Sequence, residues 1–171
     1  DRFMHALSRA LKELRPVAVP AAGVDRLRLS AHIAVKDMIA LGRVCLQPHD
    51  DLSLAALLKS PVFGLDEGEL FALAHGRTGS LMEALREKAA GETKLRTVLE
   101  RLDRWRGEID VKPPFEFYAA VLGRDGVRRA MAARLGPEAA EILDEFLAYA
   151  LAAEQAGPRG MEAFLAVLET A

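Results

Sequence analysis

Histidine and acidic side chains are the groups in this sequence best suited to metal or acid–base chemistry, and their spacing brings few of them together. The four histidines lie on separate predicted segments, and none is paired at the spacing of metal ligands; they are His5, His32, His49 and His75. The cluster His49-Asp50-Asp51 is typical of a helix start, where carboxylates cap free N–H groups and meet the positive end of the helix dipole. The sequence therefore predicts no metal-ligating residue.

Acidic residues recur at helical spacing in one further place. Glu141, Asp144 and Glu145 would share one helix face, and paired carboxylates can act as general acid and base. Such a row is more typical of a solvated face. The chain has no G-x-x-x-x-G-K-[ST] phosphate loop, no G-x-G-x-x-G motif and no serine nucleophile elbow. We therefore predict no catalytic residue in this chain.

A first group of basic residues lies on the predicted helix around Trp105. Its polar side carries Lys94, Arg96, Arg101, Arg104 and Arg106. Arg101 and Arg104 are candidate DNA-binding residues, although the interleaved Glu100, Asp103 and Glu108 could pair with their neighbours and reduce this charge. Trp105 could stack on a base, but its position on the apolar stripe of the helix favours the core.

A second group of arginines has fewer acidic residues among its sequence neighbours. Residues 124–134 contain four arginines and one acid; the arginines are Arg124, Arg128, Arg129 and Arg134. Arg124 and Arg128 are predicted to lie one helical turn apart. One interpretation is contact with backbone phosphates. The alternative is pairing with the predicted helix over 138–154, which carries five acids and no base.

Composition limits the class of protein. The chain has 171 residues, of which 51% are hydrophobic and 28% charged, and its net charge is −2, so it is predicted to be globular rather than disordered or strongly basic. No apolar run approaches the length of a membrane span, and no signal peptide is evident. The single cysteine, Cys45, excludes an internal disulfide and favours a reducing compartment, so we expect a cytoplasmic location. Because the sequence begins with Asp1, we expect a piece of a longer protein.

The hydrophobic period is helical throughout and predicts an all-α fold. We expect an irregular bundle of about nine or ten short helices, with at most one marginal strand, Val17-Ala18-Val19, near the N-terminus. The helix over 33–46 is apolar nearly all round and should be central. Capping boxes are predicted at Asp66 and Ser80, and Gly123 is predicted to end the helix that precedes the second arginine group.

The order of several short motifs resembles one family of proteins. The most specific run is D-D-L-x-L-A-x-x-L-K-S-P-x-F-G-L over 50–65, and further similar stretches lie at 3–12, 19–27, 32–42, 113–118 and 134–140. Together they resemble AddA, a double-strand-break repair helicase, in its alphaproteobacterial type, which belongs with the UvrD/Rep and exonuclease V beta-subunit helicases. The resemblance covers essentially the whole chain.

The resemblance implies a segment of a motor protein rather than a complete enzyme. Residues 1–24 would be the edge of RecA-like motor domain 2A, a helix plus a short strand, and residues 25–171 would be the helical inserted domain called 2B. The ATP-binding loop, the later helicase motifs and a nuclease domain would lie elsewhere in the parent, which uses ATP and Mg. No catalytic residue or cofactor site is therefore carried over to this chain.

The resemblance also implies partners. The helical domain would engage duplex or forked DNA, weakly in isolation, or AddB, the partner in the helicase–nuclease complex, and no membrane. An alternative is a protein-interaction module of the same complex without direct DNA contact. A stand-alone helical enzyme is disfavoured because the histidines are scattered and ligand pairs are missing.

Overall fold

The computed structural model describes residues 26–157 and 160–170, and this part of the chain is all-α, as predicted. Residues 26–31 are helical and lead into nine α-helices, with a π-helical turn, Ala120–Arg124, between α6 and α7. The helices are α1 Ile33–Leu46, α2 Asp51–Lys59, α3 Glu67–Ala74, α4 Leu81–Ala89, α5 Thr93–Ile109, α6 Pro114–Ala119, α7 Val127–Leu135, α8 Pro137–Ala156 and α9 Met161–Glu169. The predicted opening helix, the strand Val17–Val19 and the domain boundary at 24 lie outside the described residues.

Helix α1 lies at the centre of the bundle, as its apolar sequence predicts. Ten of its 14 residues are buried, and it packs against α2, α5, α8 and α9. Ile33, in its first turn, is half-exposed. A helix that is apolar on most of its circumference can be stable only where other helices cover it on several sides. Four of the other helices therefore surround α1.

One close approach lets these helices pack onto α1. A β-carbon at Gly42 would lie 2.6 Å from the Tyr118 hydroxyl oxygen and 2.8 Å from Cδ1 of Leu165, so only glycine leaves room for α6 and α9 here. The buried Tyr118 hydroxyl donates to the Met38 carbonyl oxygen at 2.8 Å, and the Tyr118 ring meets Phe146 of α8 edge-on at 4.9 Å. Burial also holds the pKa of Tyr118 well above its usual value of 10, which keeps this hydroxyl a donor.

The helix starts follow the predicted caps. Asp50 caps α2 by accepting a hydrogen bond from the Ser53 backbone N–H at 3.1 Å. Asp66 and Ser80 each begin a complete capping box, with the glutamate three residues later reaching back to the cap N–H. These local hydrogen bonds satisfy donors that the first turn of a helix cannot pair internally.

Replacing Gly42 by alanine should destabilise the fold by about 1–3 kcal/mol, because the added carbon overlaps Tyr118 and Leu165 in a packed core. Gly107 is the matched control, since it also lies in a helix but has nothing within 4 Å of its would-be β-carbon. Gly107→Ala should stabilise the protein by about 0.5–1 kcal/mol. Urea unfolding followed by circular dichroism measures both changes. Equal effects of the two substitutions would contradict the close approach at Gly42.

A buried carboxylate interrupts the apolar surface of α1. Asp37 is only 6% exposed. Burial raises its pKa from 3.8 to about 6, because a charged carboxylate is poorly solvated there. The folded protein therefore holds this proton more tightly than the unfolded chain does. The contribution of Asp37 to stability consequently falls as the pH rises from about 4 through about 6 and is constant above that range.

Asp37→Asn should therefore stabilise the protein above pH 7 and have little effect near pH 4. A pKa of about 6 against 3.8 corresponds to a gain of at most about 3 kcal/mol at high pH, at 1.36 kcal/mol per unit. The free energy of unfolding of both proteins, measured in urea at pH 4 and pH 8, tests this. A substitution that is neutral or destabilising at pH 8 would show that Asp37 is charged without penalty in the fold.

Candidate nucleic-acid interface

The centre of the candidate interface is a carboxylate held by the only tryptophan of the chain. Trp105 lies on the inner face of α5 and is fully buried, so its predicted place in the core is confirmed. Its indole Nε1 donates to Oδ2 of Asp125 at 2.8 Å. The Asp125 side chain is only 3% exposed. A buried carboxylate needs such donors, because its charge has lost most of its water.

The backbone around Asp125 differs from the prediction. The helix expected to end at Gly123 continues through Arg124 as a π-helical turn, and the Asp125 N–H donates to the Ala120 carbonyl oxygen at 3.0 Å. The chain then reverses at Gly126, whose φ of +77° is the left-handed conformation that favours glycine. Arg124 and Arg128 consequently lie on different elements, and the prediction that they are one helical turn apart was wrong.

Two arginines from different elements meet at the Asp125 carboxylate. Nη2 of Arg104, on α5, and Nε of Arg124 each donate to Oδ1 of Asp125 at 3.0 Å. Arg124 also donates through Nη2 to both carboxylate oxygens of Glu108 at 3.0 and 3.1 Å. The hydrogen bonds to Asp125 and Glu108 raise the pKa of Arg124. Both arginine side chains remain about half-exposed to solvent.

Arg101 holds the backbone of the same turn. Its guanidinium donates to the backbone carbonyl oxygens of Asp125 at 2.9 Å and Val62 at 3.4 Å. Its central carbon lies 4.9 Å from the centre of the Trp105 ring and 5.7 Å from that of Phe63, which are cation–π distances. Burial lowers the pKa of Arg101, in keeping with this half-buried, stacked position. We call Arg101, Arg104, Trp105, Arg124 and Asp125 together the Asp125 cluster.

Opposing influences set the pKa of Asp125. Burial alone would raise it, but hydrogen bonds from Arg124 and Trp105 and the charges of Arg104 and Arg124 outweigh burial and lower it below 3.8. Asp125 is therefore a carboxylate at neutral pH. Its fixed negative charge holds the two arginines side by side.

The other three arginines of the candidate set do not join this carboxylate. Arg128 forms a two-point ion pair with Asp144 of α8, at 2.8 and 2.9 Å, which is the pairing with the acidic helix that the sequence left open. Arg129 and Arg134 are exposed and form no ion pair with a residue in 26–157 or 160–170. The Arg134 guanidinium lies 4.0 Å from where a β-carbon on Gly64 would be, beside the turn that Arg101 contacts.

The remaining sequence clusters are structural. Asp50 caps α2, and Asp51 accepts hydrogen bonds from the Leu81 backbone N–H and from Arg77. Glu145 pairs with Arg28. Within residues 26–157 and 160–170, no group of three or more His, Cys, Asp or Glu side chains is arranged to hold a metal ion.

Asp125 is the functional residue that sequence reasoning missed. Its position between Arg124 and Gly126 provides a signal, because Asp-Gly commonly forms a turn. What the sequence does not show is the Trp105 indole, which comes from 20 residues earlier in the chain.

Comparison with known proteins relates the chain to one kind of helicase/nuclease subunit. It is 32% identical over 117 residues to the A subunit of the ATP-dependent helicase/nuclease of Geobacillus kaustophilus, and the aligned part covers 61% of this chain and 9% of that protein. The corresponding helicase/nuclease subunits of Desulforudis audaxviator and Anoxybacillus flavithermus are 31% and 32% identical over 103 and 119 residues. The chain is similar to a segment of these helicase/nuclease subunits.

The extent of this similarity is limited. The aligned part corresponds to 57% and 66% of this chain for the latter two relatives, and to 8% and 10% of their own length. The chain thus spans about a tenth of the length of the curated relatives it matches. No protein-family model matches it. Among the described helices, none has the length and apolar character needed to cross a membrane.

Asp125→Asn should destabilise the fold at pH 7 by about 1–3 kcal/mol, because the arginines lose a charged acceptor while Trp105 keeps a neutral one. Folding lowers the pKa of Asp125. Its contribution to the free energy of unfolding is therefore fully present above pH 3.8 and is lost as the pH falls below that value. The difference in the free energy of unfolding between the wild type and Asp125→Asn should therefore become smaller as the pH falls. Urea unfolding at pH 7 and near pH 3 measures it.

Asp103→Asn is the matched control, because Asp103 also pairs with two arginines, accepting from Arg86 and lying 3.6 Å from Arg106, but is exposed. We expect a loss below about 1 kcal/mol for this surface pair. If both substitutions lower the free energy of unfolding by the same amount, the buried position of Asp125 contributes nothing to stability.

Proposed function

We propose that this chain is a non-catalytic helical subdomain of an ATP-dependent DNA helicase/nuclease that acts in double-strand-break repair and recombination. The observation that carries the proposal is the similarity to helicase/nuclease subunits from three bacteria, over roughly three-fifths of the chain. In this proposal the chemistry of ATP and Mg belongs to other parts of the longer protein. The helical subdomain contributes a rigid surface.

The proposed position in the parent is the 2B-type insertion, formed by residues 25–171, with residues 1–24 at the edge of motor domain 2A. A domain inserted into another must leave and re-enter it at neighbouring points. Leu27 and Ser30, at the start of the described chain, line the same groove as Leu168 and Thr170, at its end. This convergence is the arrangement that an insertion requires.

The proposed role is mechanical contact with duplex DNA. When ATP turnover moves one motor domain against the other, a stiff helical body can transmit that movement to the duplex ahead. The central α1 and its close contacts supply this stiffness. The net charge of −2 means that attraction to DNA must come from local arginine surfaces, so it should be weak and sensitive to salt.

A protein contact within the same complex is the second candidate, and one surface favours it. Leu52 on α2 is 86% exposed, and together with half-exposed Leu27 it borders the groove between α1, α2 and α9. Exposed leucines beside a groove are typical of surfaces that contact protein. The partner proposed here is AddB, the other component of the helicase–nuclease, in the cytoplasm.

The 171-residue chain should bind a fluorescein-labelled DNA duplex weakly, and affinity should fall about tenfold to fortyfold between about 50 and 200 mM salt if two or three phosphates are contacted. Fluorescence anisotropy measures this, and the same preparation should not hydrolyse ATP. Absence of binding at low salt would contradict DNA contact and leave the protein-contact role. ATP hydrolysis would contradict the non-catalytic role.

A further inference from the structure

The Asp125 cluster carries more positive charge than its own acids neutralise. Arg104 and Arg124 pair with the Asp125 carboxylate, Arg124 and Lys112 pair with the Glu108 carboxylate, and Arg101 donates to the backbone carbonyl oxygen of Asp125. Four positively charged side chains thus lie beside two carboxylates. The excess stands out in a chain whose net charge is −2. Crowding like charges is unfavourable unless another anion is close, so this surface is suited to an external anionic partner.

The geometry defines where that anion would bind. Nη2 of Arg104 and Nε of Arg124 lie 3.0 Å from the same Asp125 oxygen, so these two nitrogens are within about 6 Å of each other. The two side chains are 48% and 49% exposed. In both, Nη1 donates to no residue in the described part of the chain, so each guanidinium retains free N–H groups.

We infer that Arg104 and Arg124 form a two-arginine phosphate clamp for the duplex DNA backbone, and that Asp125 is the positioning residue that holds the clamp in shape. This inference rests on the proposed DNA contact and specifies the surface that makes it. Planar guanidinium groups match phosphate oxygens with paired, charge-assisted hydrogen bonds. Backbone phosphates are the acceptors, so the clamp reads no base sequence.

Asp125 contributes to DNA binding by fixing the positions of the arginine side chains rather than by its charge. Its carboxylate is fixed by Trp105 before any ligand binds, and it in turn fixes Nη2 of Arg104 and both Nε and Nη2 of Arg124. Long arginine side chains otherwise lose rotamer freedom when they bind, which weakens affinity. Arg134, beside Gly64, extends the positive surface towards the turn that Arg101 contacts.

The clamp can be tested by removing each arginine from the 171-residue chain and titrating labelled duplex. Arg104→Ala and Arg124→Ala should each weaken binding about twofold to fivefold, the range of an exposed charged contact. Each should also reduce the slope of log affinity against log salt by about one. Arg86→Ala is the matched control, because Arg86 is equally exposed but fully paired with Asp103, and it should leave both quantities unchanged. Circular dichroism verifies that each variant is folded.

The positioning role of Asp125 is tested by whether Asp125→Asn raises or lowers the affinity for duplex DNA. Asp125→Asn removes a negative charge next to the clamp, so charge alone predicts tighter binding, whereas loss of positioning predicts weaker binding. Glu100→Gln is the matched control, because Glu100 lies one turn before Arg104 on α5 and is exposed. We expect Glu100→Gln to tighten binding and Asp125→Asn to weaken it at the same salt concentration. Both are measured well below the melting temperature of Asp125→Asn.

The single tryptophan gives an independent readout. Trp105 donates to the carboxylate that holds both clamp arginines, so duplex binding there should change Trp105 emission in the wild type. Binding that is unchanged in Arg104→Ala and Arg124→Ala but weakened in Arg129→Ala or Arg134→Ala would overturn the clamp and leave the proposed DNA contact standing. If neither the wild type nor any variant binds the duplex, both the clamp and the proposed DNA contact are overturned. Tighter binding by Asp125→Asn overturns its positioning role alone.

Discussion

The buried carboxylate of Asp125 is the interaction on which the candidate surface depends. It accepts from the Trp105 indole inside the bundle and from Arg104 and Arg124 at its surface, so one side chain connects the core to the solvent. Placing a charge where water is scarce is unfavourable unless donors surround it. Here the donors also fix the turn between α6 and α7 against α5. The same hydrogen bonds that make the charge tolerable therefore determine where the arginines lie.

The scaffold beneath this surface depends on α1. Because α1 is buried on most sides, α2, α5, α8 and α9 are each positioned by contact with one common helix. Gly42 allows Tyr118 and Leu165 to approach closely, and the Tyr118 hydroxyl satisfies the Met38 carbonyl oxygen. Packing of this kind has few alternative arrangements, since protein interiors are close-packed. Such packing suits the mechanical role that we propose for the bundle.

Similarity to helicase/nuclease subunits and the structure contribute different kinds of information about function. The alignments connect about three-fifths of the chain to ATP-dependent helicase/nuclease subunits but locate no contact surface. The structure separates Arg128, which pairs with Asp144 of α8, from Arg104 and Arg124, which meet at the carboxylate of Asp125 and stay about half-exposed. A basic sequence cluster alone does not reveal this distinction, because the pairing acids come from other helices.

The sequence by itself determined the all-α class, the central place of α1, the capping boxes at Asp66 and Ser80, and the burial of Trp105, since each follows from local hydrogen bonding or from hydrophobic period. Only the tertiary structure decided the partners of the arginines. The π-helical turn through Arg124 and the reversal at Gly126 send Arg124 towards α5 and Arg128 towards α8. Ion pairs between residues 16 or more positions apart depend on how helices pack, and helical spacing within one segment carries no record of that packing.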